Sequence, residues 1–129
     1  MADPGCPFCT IELERVVGAW GPVFAIRDAF PVSEGHTLII PRRHVATLFE
    51  LDEAEWSAVR GALHDLKAQL SESLPRRPAG WNVGVNVGEA GGQTVGHVHV
   101  HLIPRYDGDV PDPRGGVRHV IPGKGKAPR

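Results

Sequence analysis

The sequence predicts an α+β domain in which an antiparallel sheet is covered by one long helix. Three observations predict it. Trp56, Val59, Leu63, Leu66, Leu70 and Leu74 recur at steps of three and four, the apolar stripe of a single helix. Five short runs rich in Val, Ile and aromatic residues, punctuated by Gly and Pro, read as strands. The last two flank Gly88-Glu89-Ala90-Gly91-Gly92-Gln93-Thr94, a glycine-rich turn suited to an antiparallel hairpin. A sheet with one covering helix buries the apolar side of each against the other.

The elements follow in order. A short helical turn is expected near residues 10–13. Strands are expected at 15–20, 23–27, 37–40, 81–87 and 95–103. Asp52 caps the long helix, Glu55 three residues on completes a near-capping box, and Pro75 ends the helix. In the fourth strand Trp81, Val83, Val85 and Val87 alternate with Asn82, Gly84 and Asn86. Paired in register with the fifth strand, these valines join Val98 and Val100 in the core. Gly84 and Asn86 then share the face of His97, His99 and His101, where a glycine leaves room for a ligand.

A chain of 129 residues, 41% hydrophobic and 22% charged, suits one domain that buries a core without disulfide staples. Its net charge of −1 advertises neither nucleic acid nor an acidic membrane surface. Residues 1–106 read as the domain and 107–129 as a Gly/Pro-rich basic C-terminal extension. From Arg114 onward this extension carries Arg114, Arg118, Lys124, Lys126 and Arg129 and no acidic residue, and it reads as a solvated tail. The first residues lack a basic stretch followed by an apolar one, and no apolar run is long enough to span a bilayer. A cytoplasmic protein is the expectation.

The stretch GQTVGHVHVHLIPRY, residues 92–106, sets His97, His99 and His101 at alternate positions. In an extended strand they share one face, about 7 Å apart, with Val98, Val100 and Leu102 on the other. Three readings stand: metal ligands, a nucleophilic histidine with flanking helpers, or surface decoration. Two histidines at i and i+2 can hold one ion, but a third on the same flat strand reaches it poorly. Imidazole also serves as nucleophile, acid or base near neutrality. The preceding Gly91-Gly92-Gln93-Thr94 supplies backbone N–H groups, an amide and a hydroxyl, and such turns cradle phosphate oxygens. A donor-rich loop feeding a row of imidazoles points to a phosphoryl or nucleotidyl site.

GHTLIIPRRH adds His36 and His44 at the two ends of another apolar strand. CPFC adds Cys6 and Cys9. A thioredoxin-like motif normally follows a strand, and none precedes this one; a disulfide is disfavoured in a cytoplasmic chain. Half of a zinc site fits best, with histidines to complete it.

Together these motifs resemble one family. GQTVGHVHVHLIPR closely resembles the histidine-triad motif of the HIT superfamily of nucleotide hydrolases and transferases. GHTLIIPRRH is similar to that family's upstream segment, and CPFC to its zinc-containing bacterial branch. The likeness runs from about residue 6 to residue 106, with the motifs in the family's order. It implies a HIT-like antiparallel sheet with one long helix and a short N-terminal helix, in a homodimer whose sheets join across the two-fold.

The resemblance also implies roles. His99 would attack the α-phosphorus of a nucleotide and form a nucleotidyl-histidine. His101 and His36 would line the phosphate site. Gln93 and Thr94, with Gly92, would face the phosphates or leaving group. Asn86 would bind near the sugar–phosphate and Asp28 would hold the ribose hydroxyls. Cys6, Cys9, His44 and His97 would form a structural zinc site. The implied substrate is a purine nucleotide, either a dinucleoside polyphosphate such as diadenosine tetraphosphate or a nucleoside phosphoramidate. The implied reaction is hydrolysis, the alternatives being transfer to phosphate by a phosphorylase or transferase, or a nucleotide-binding module with incidental turnover. Gly96 departs from the family, where larger residues are common before the triad, and His119 in the extension reads as incidental.

Overall fold

The computed structural model describes residues 3–126. Five strands, β1 (Val16–Trp20), β2 (Val23–Arg27), β3 (Thr37–Pro41), β4 (Gly80–Gly84) and β5 (Val100–Arg105), form one sheet. Their order is β1-β2-β3-β5-β4 and every neighbouring pair is antiparallel. One long helix, α1 (Glu53–Ser73), crosses the β1–β3 side of the sheet. Among the described residues no helix is long and apolar enough to cross a membrane.

The period-two pattern explains the two faces. Val23, Ala25, Ile39, Val100 and Leu102 point toward α1 and pack with Val59, Ala62, Leu66 and Leu70. Phe24, Ile26, Leu38 and Ile40 point the other way and gather Phe8, Ile11 and Val16. Leu38 is paired with His101, so the second face is also the histidine face.

α1 begins as expected: the Asp52 carboxylate accepts from the Glu55 N–H at 2.8 Å, and Glu55 reaches back to the Asp52 N–H at 2.9 Å. Its buried stripe is rotated from the expected one. Trp56 is 44% exposed, while Glu55 and Ala62 are buried. Glu55 tolerates burial because Arg43 meets its carboxylate at 2.7 Å and holds its pKa below the usual range.

Other elements differ in extent. The first helical turn is a 3-10 turn at Leu13–Arg15, later than the expected 10–13. β4 and β5 form the expected antiparallel pair, with Gly84 opposite His101 and Asn82 opposite Ile103. Both are shorter at the loop end. Residues 85–99 leave the ladder, and the Val98 N–H instead donates to the Val45 carbonyl at 2.9 Å. β4 is an edge strand, and while Trp81 packs against the core, Val83 on the same face is 47% exposed.

The described part of the extension is largely exposed, as a solvated segment is, and it carries contacts of its own. Asp112 takes Arg114 at 2.9 Å and Lys126 at 2.8 Å, so basic groups of this segment find a carboxylate inside it. Gly115 and Gly125 let the backbone close on itself, because a Cβ on Gly115 would overlap the Gly125 carbonyl. A 3-10 segment, Gly116–Val120, lies against β4.

Candidate active site and metal centre

Two clusters meet on the histidine face. In the first, a turn closed by the Cys9 N–H to the Cys6 carbonyl brings both thiols inward. Cys9 Sγ lies 3.1 Å from His44 Nδ1 and 3.5 Å from His97 Nδ1, and Cys6 Sγ lies 3.4 Å from His97 Nδ1. The four ligand atoms all lie within 4.8 Å of one another, and both cysteines are free thiols. A tetrahedral ion with bonds of about 2.3 Å to sulfur and about 2.0–2.1 Å to nitrogen needs ligand spacings of this size.

The protonation of His97 fits too. Its Nε2 sits 2.7 Å from the Pro41 carbonyl, which only accepts, so the ring proton is on Nε2 and the Nδ1 lone pair faces the sulfurs. Cys6, Cys9, His44 and His97 thus form a candidate metal site, its donors suited to a borderline-soft divalent ion. His97 is fully buried and lies before β5 begins. The three histidines are therefore not equivalent strand residues: the first is drawn into the thiol cluster.

The second cluster surrounds His99. Its Nδ1 is 3.0 Å from the His97 carbonyl, so Nδ1 donates and Nε2 keeps its lone pair. The ring packs against Phe8 at 4.9 Å between centroids and against His101 at 5.1 Å. Neighbouring hydrogen bonds fix the other tautomers. The Val32 N–H donates to His36 Nδ1 at 3.1 Å, so His36 carries its proton on Nε2. That Nε2 lies 2.9 Å from His101 Nδ1 and 3.5 Å from an Asp28 carboxylate oxygen. His101 then accepts at Nδ1 and carries its own proton on Nε2.

Burial keeps this pair neutral. It pushes His101 down to about 4, helped by the neighbouring His99 and His36 and opposed by Asp28. It also lowers His36, again against the Asp28 charge. The face thus offers a lone pair on His99 beside an N–H on His101.

The other expected residues are placed as follows. Asp28 accepts the Phe30 N–H at 2.8 Å and borders His36. Asn86 is exposed, two residues beyond Gly84, the cross-strand partner of His101. Gln93 is committed to its loop: its carbonyl accepts from Gly88 N–H at 2.9 Å, and its amide donates to Ala46 and Val95 carbonyls at 2.6 and 3.0 Å. The N–H groups of Gly91, Gly92 and Gln93 are likewise satisfied within the turn, which Gly92 closes at a φ of 91°. Thr94 is exposed just past this brace. Sequence reasoning missed Phe8. An aromatic between two candidate ligand thiols was the available signal, since ligation fixes both ends of its loop.

A sheet face with a tautomer-fixed histidine row defines a histidine-triad protein, and the comparisons agree. The HIT domain model matches residues 12–108. The chain is 39% identical over 111 residues to an uncharacterized 16.1 kDa HIT-like protein of Mycoplasma pneumoniae, covering 83% of this chain and 76% of that one. It is 37% identical over 114 residues to an AP-4-A phosphorylase of Mycobacterium tuberculosis, covering 84% of this chain and 57% of that one. A crystal structure of a HIT family protein from Bacillus anthracis superposes with a TM-score of 0.74 at 35% identity, covering 84% and 78% of the two chains. A Zn-bound histidine triad family protein from Mycobacterium smegmatis gives 0.69 at 27% identity, covering 84% of each. The chain belongs to the HIT family.

Proposed function

We propose that the protein hydrolyses a purine nucleotide at its α-phosphorus through a nucleotidyl-histidine on His99. One observation carries this reading: the His97 carbonyl holds the Nδ1 proton of His99 and leaves Nε2 as a neutral nucleophile beside the His101 N–H. In the first step a bond forms between Nε2 and phosphorus while the bond to the leaving oxygen or nitrogen breaks. A leaving polyphosphate oxygen keeps the electron pair of the broken bond as negative charge beside the His101 N–H, while a leaving nitrogen takes a proton from solvent and departs as the neutral amine. In the second step water attacks phosphorus and gives up a proton to solvent, the N–P bond breaks with its electron pair returning to Nε2, and neutral His99 is restored with release of the nucleoside monophosphate. Such chemistry rests on alignment and on donors at the phosphoryl oxygens.

Asp28 accepts from the ribose hydroxyls, with the base over the half-buried apolar patch of Phe8 and Ile11. His36 holds His101 in its donor tautomer. Asn86 and Thr94 contact the sugar–phosphate, and Gln93 keeps the Gly92–Thr94 turn in shape. The metal is zinc, held by Cys6, Cys9, His44 and His97; when bound it supplies a closed structural centre that ties the N-terminal loop to the triad. The exposed β4 edge, with Val83 beside it, supports a homodimer joined through that strand.

A second reading is phosphorolysis, favoured by the relative of Mycobacterium tuberculosis named AP-4-A phosphorylase. Diadenosine tetraphosphate and adenosine 5′-phosphoramidate, each incubated with and without inorganic phosphate, separate the two by mass analysis of products. Hydrolysis yields AMP whatever the phosphate concentration. ADP formed only with phosphate establishes the second reading, and no turnover of either substrate overturns both.

A further inference from the structure

The candidate metal centre and the nucleophile share one side chain. Phe8 stands between Cys6 and Cys9 in the chain, and its ring packs edge-on to both His97, at 6.1 Å between centroids, and His99, at 4.9 Å. The backbone N–H groups of Phe8 and Cys9 both face the Cys6 sulfur. Whatever moves that sulfur therefore moves the loop that carries the ring.

The two thiols are also placed to react with each other. They are the two cysteines of the chain, and both are free. A turn closed by the Cys9 N–H on the Cys6 carbonyl, at 3.2 Å, joins them. Such a turn keeps its end Cα atoms under about 7 Å, within the span a disulfide bridges. The sulfurs lie within 4.8 Å of each other. They differ in access, since Cys6 is buried and Cys9 half-buried. In a pair of this kind a hydroperoxide oxidises the accessible thiol, and the buried one resolves it.

We propose that Cys6 and Cys9 form a redox modification site whose reactant is a hydroperoxide, and that their disulfide releases the metal and draws Phe8 off His99. The proposal rests on the metal assignment above and goes beyond it. With hydrogen peroxide, the Cys9 thiolate first attacks one peroxide oxygen. An S–O bond forms, the O–O bond breaks, and its electron pair leaves as hydroxide, which takes a proton from solvent to become water. The Cys6 thiolate then attacks the Cys9 sulfenic sulfur. The S–S bond forms and the S–O bond breaks, releasing a second hydroxide that is protonated in the same way. The thiolates lose two electrons and the peroxide is reduced to two waters.

The thiolate is the metal ligand, so after oxidation only His44 and His97 remain of the four donors a structural zinc needs. Around a tetrahedral zinc ion two sulfurs stand about 3.8 Å apart, and a disulfide closes them to about 2.05 Å. The loop tightens by that difference. Phe8, tied by its N–H to the Cys6 sulfur, turns with it.

The test adds hydrogen peroxide in slight excess to the full-length, zinc-loaded, reduced protein. A chromogenic chelator reads zinc release, and thiol titration with peptide mass mapping reads the cysteines. NMR reads the His99 ring protons, which the Phe8 ring current shifts. About one zinc should be released and about two thiols lost per chain, in step, with Cys6 and Cys9 mapped to one disulfide. Dithiothreitol with zinc should restore both, together with the starting His99 resonances. In reduced protein stripped of zinc by a chelator, those resonances should stay nearer the zinc-loaded than the oxidised positions. Thiols that survive peroxide while zinc is held overturn the proposal and spare the metal site. A disulfide formed with zinc retained overturns the proposal and the ligand role of both cysteines together. His99 resonances unmoved by oxidation, or moved equally by zinc removal alone, overturn the coupling through Phe8.

Discussion

The carbonyl oxygen of His97 lies 3.0 Å from Nδ1 of His99, so the nucleophile's tautomer is set by the backbone of a residue in the metal cluster. His99→Ala is therefore expected to remove nearly all turnover while nucleotide affinity persists, since Asp28 and the phosphate surroundings remain. His101→Ala should cost less. Rapid quench of the wild type should trap one acid-labile nucleotidyl group per site, mapped to His99. Near wild-type turnover by His99→Ala would mean direct attack by water.

The cysteine–histidine cluster makes a separate prediction. The purified protein should hold about one zinc per chain, with X-ray absorption distances near 2.3 Å to sulfur and about 2.0–2.1 Å to nitrogen. Cys6→Ser and His44→Ala should lower metal content and thermal midpoint before they lower the specific activity of the folded fraction. A Cys6–Cys9 disulfide in reduced, metal-replete protein contradicts the assignment.

His101 predicts how stability depends on pH. Its folded value, about 4, lies below the ordinary 6.5 that the unfolded chain retains, and burial is the main cause. Between those values the unfolded state binds more protons, so stability rises with pH across the interval. It is fully present above about 6.5 and drains away as pH falls toward 4. His36 adds in the same direction, opposed by Asp28. Denaturant titrations across this interval should show a shallower slope for His101→Gln than for wild type. Identical slopes would remove His101 from the account.

At the sheet edge, Val83 is 47% exposed on a strand with one unpaired side. Val83→Lys should keep the chain monomeric at concentrations where light scattering finds the wild type dimeric, because a charge on an edge strand opposes pairing. A dimer of unchanged affinity would place the interface elsewhere.

Much of the fold and site is written in short-range pattern. The second strand is read residue for residue, since Val23–Arg27 is bounded by Gly-Pro and Asp and every side chain obeys the same local rule. α1 is legible from its capping box and its stripe, although the buried face is turned, with Glu55 inside and paired to Arg43 and Trp56 outside. The triad and CPFC are legible as chemistry because their spacing is itself the signal, and by themselves they determine the residue types a nucleotidyl site and a metal centre need.

What only the tertiary structure decided concerns residues far apart in the chain. Cys6 meets His97 across 91 positions, and His36 meets His101 across 65, distances over which local periodicity carries no information. That meeting takes His97 out of the row of equivalent strand histidines. It also assigns a proton to one nitrogen of each ring, since a tautomer depends on which acceptor or donor the fold brings alongside. The extension shows the same limit: Lys126 comes within reach of Asp112 only once the backbone closes at Gly115 and Gly125.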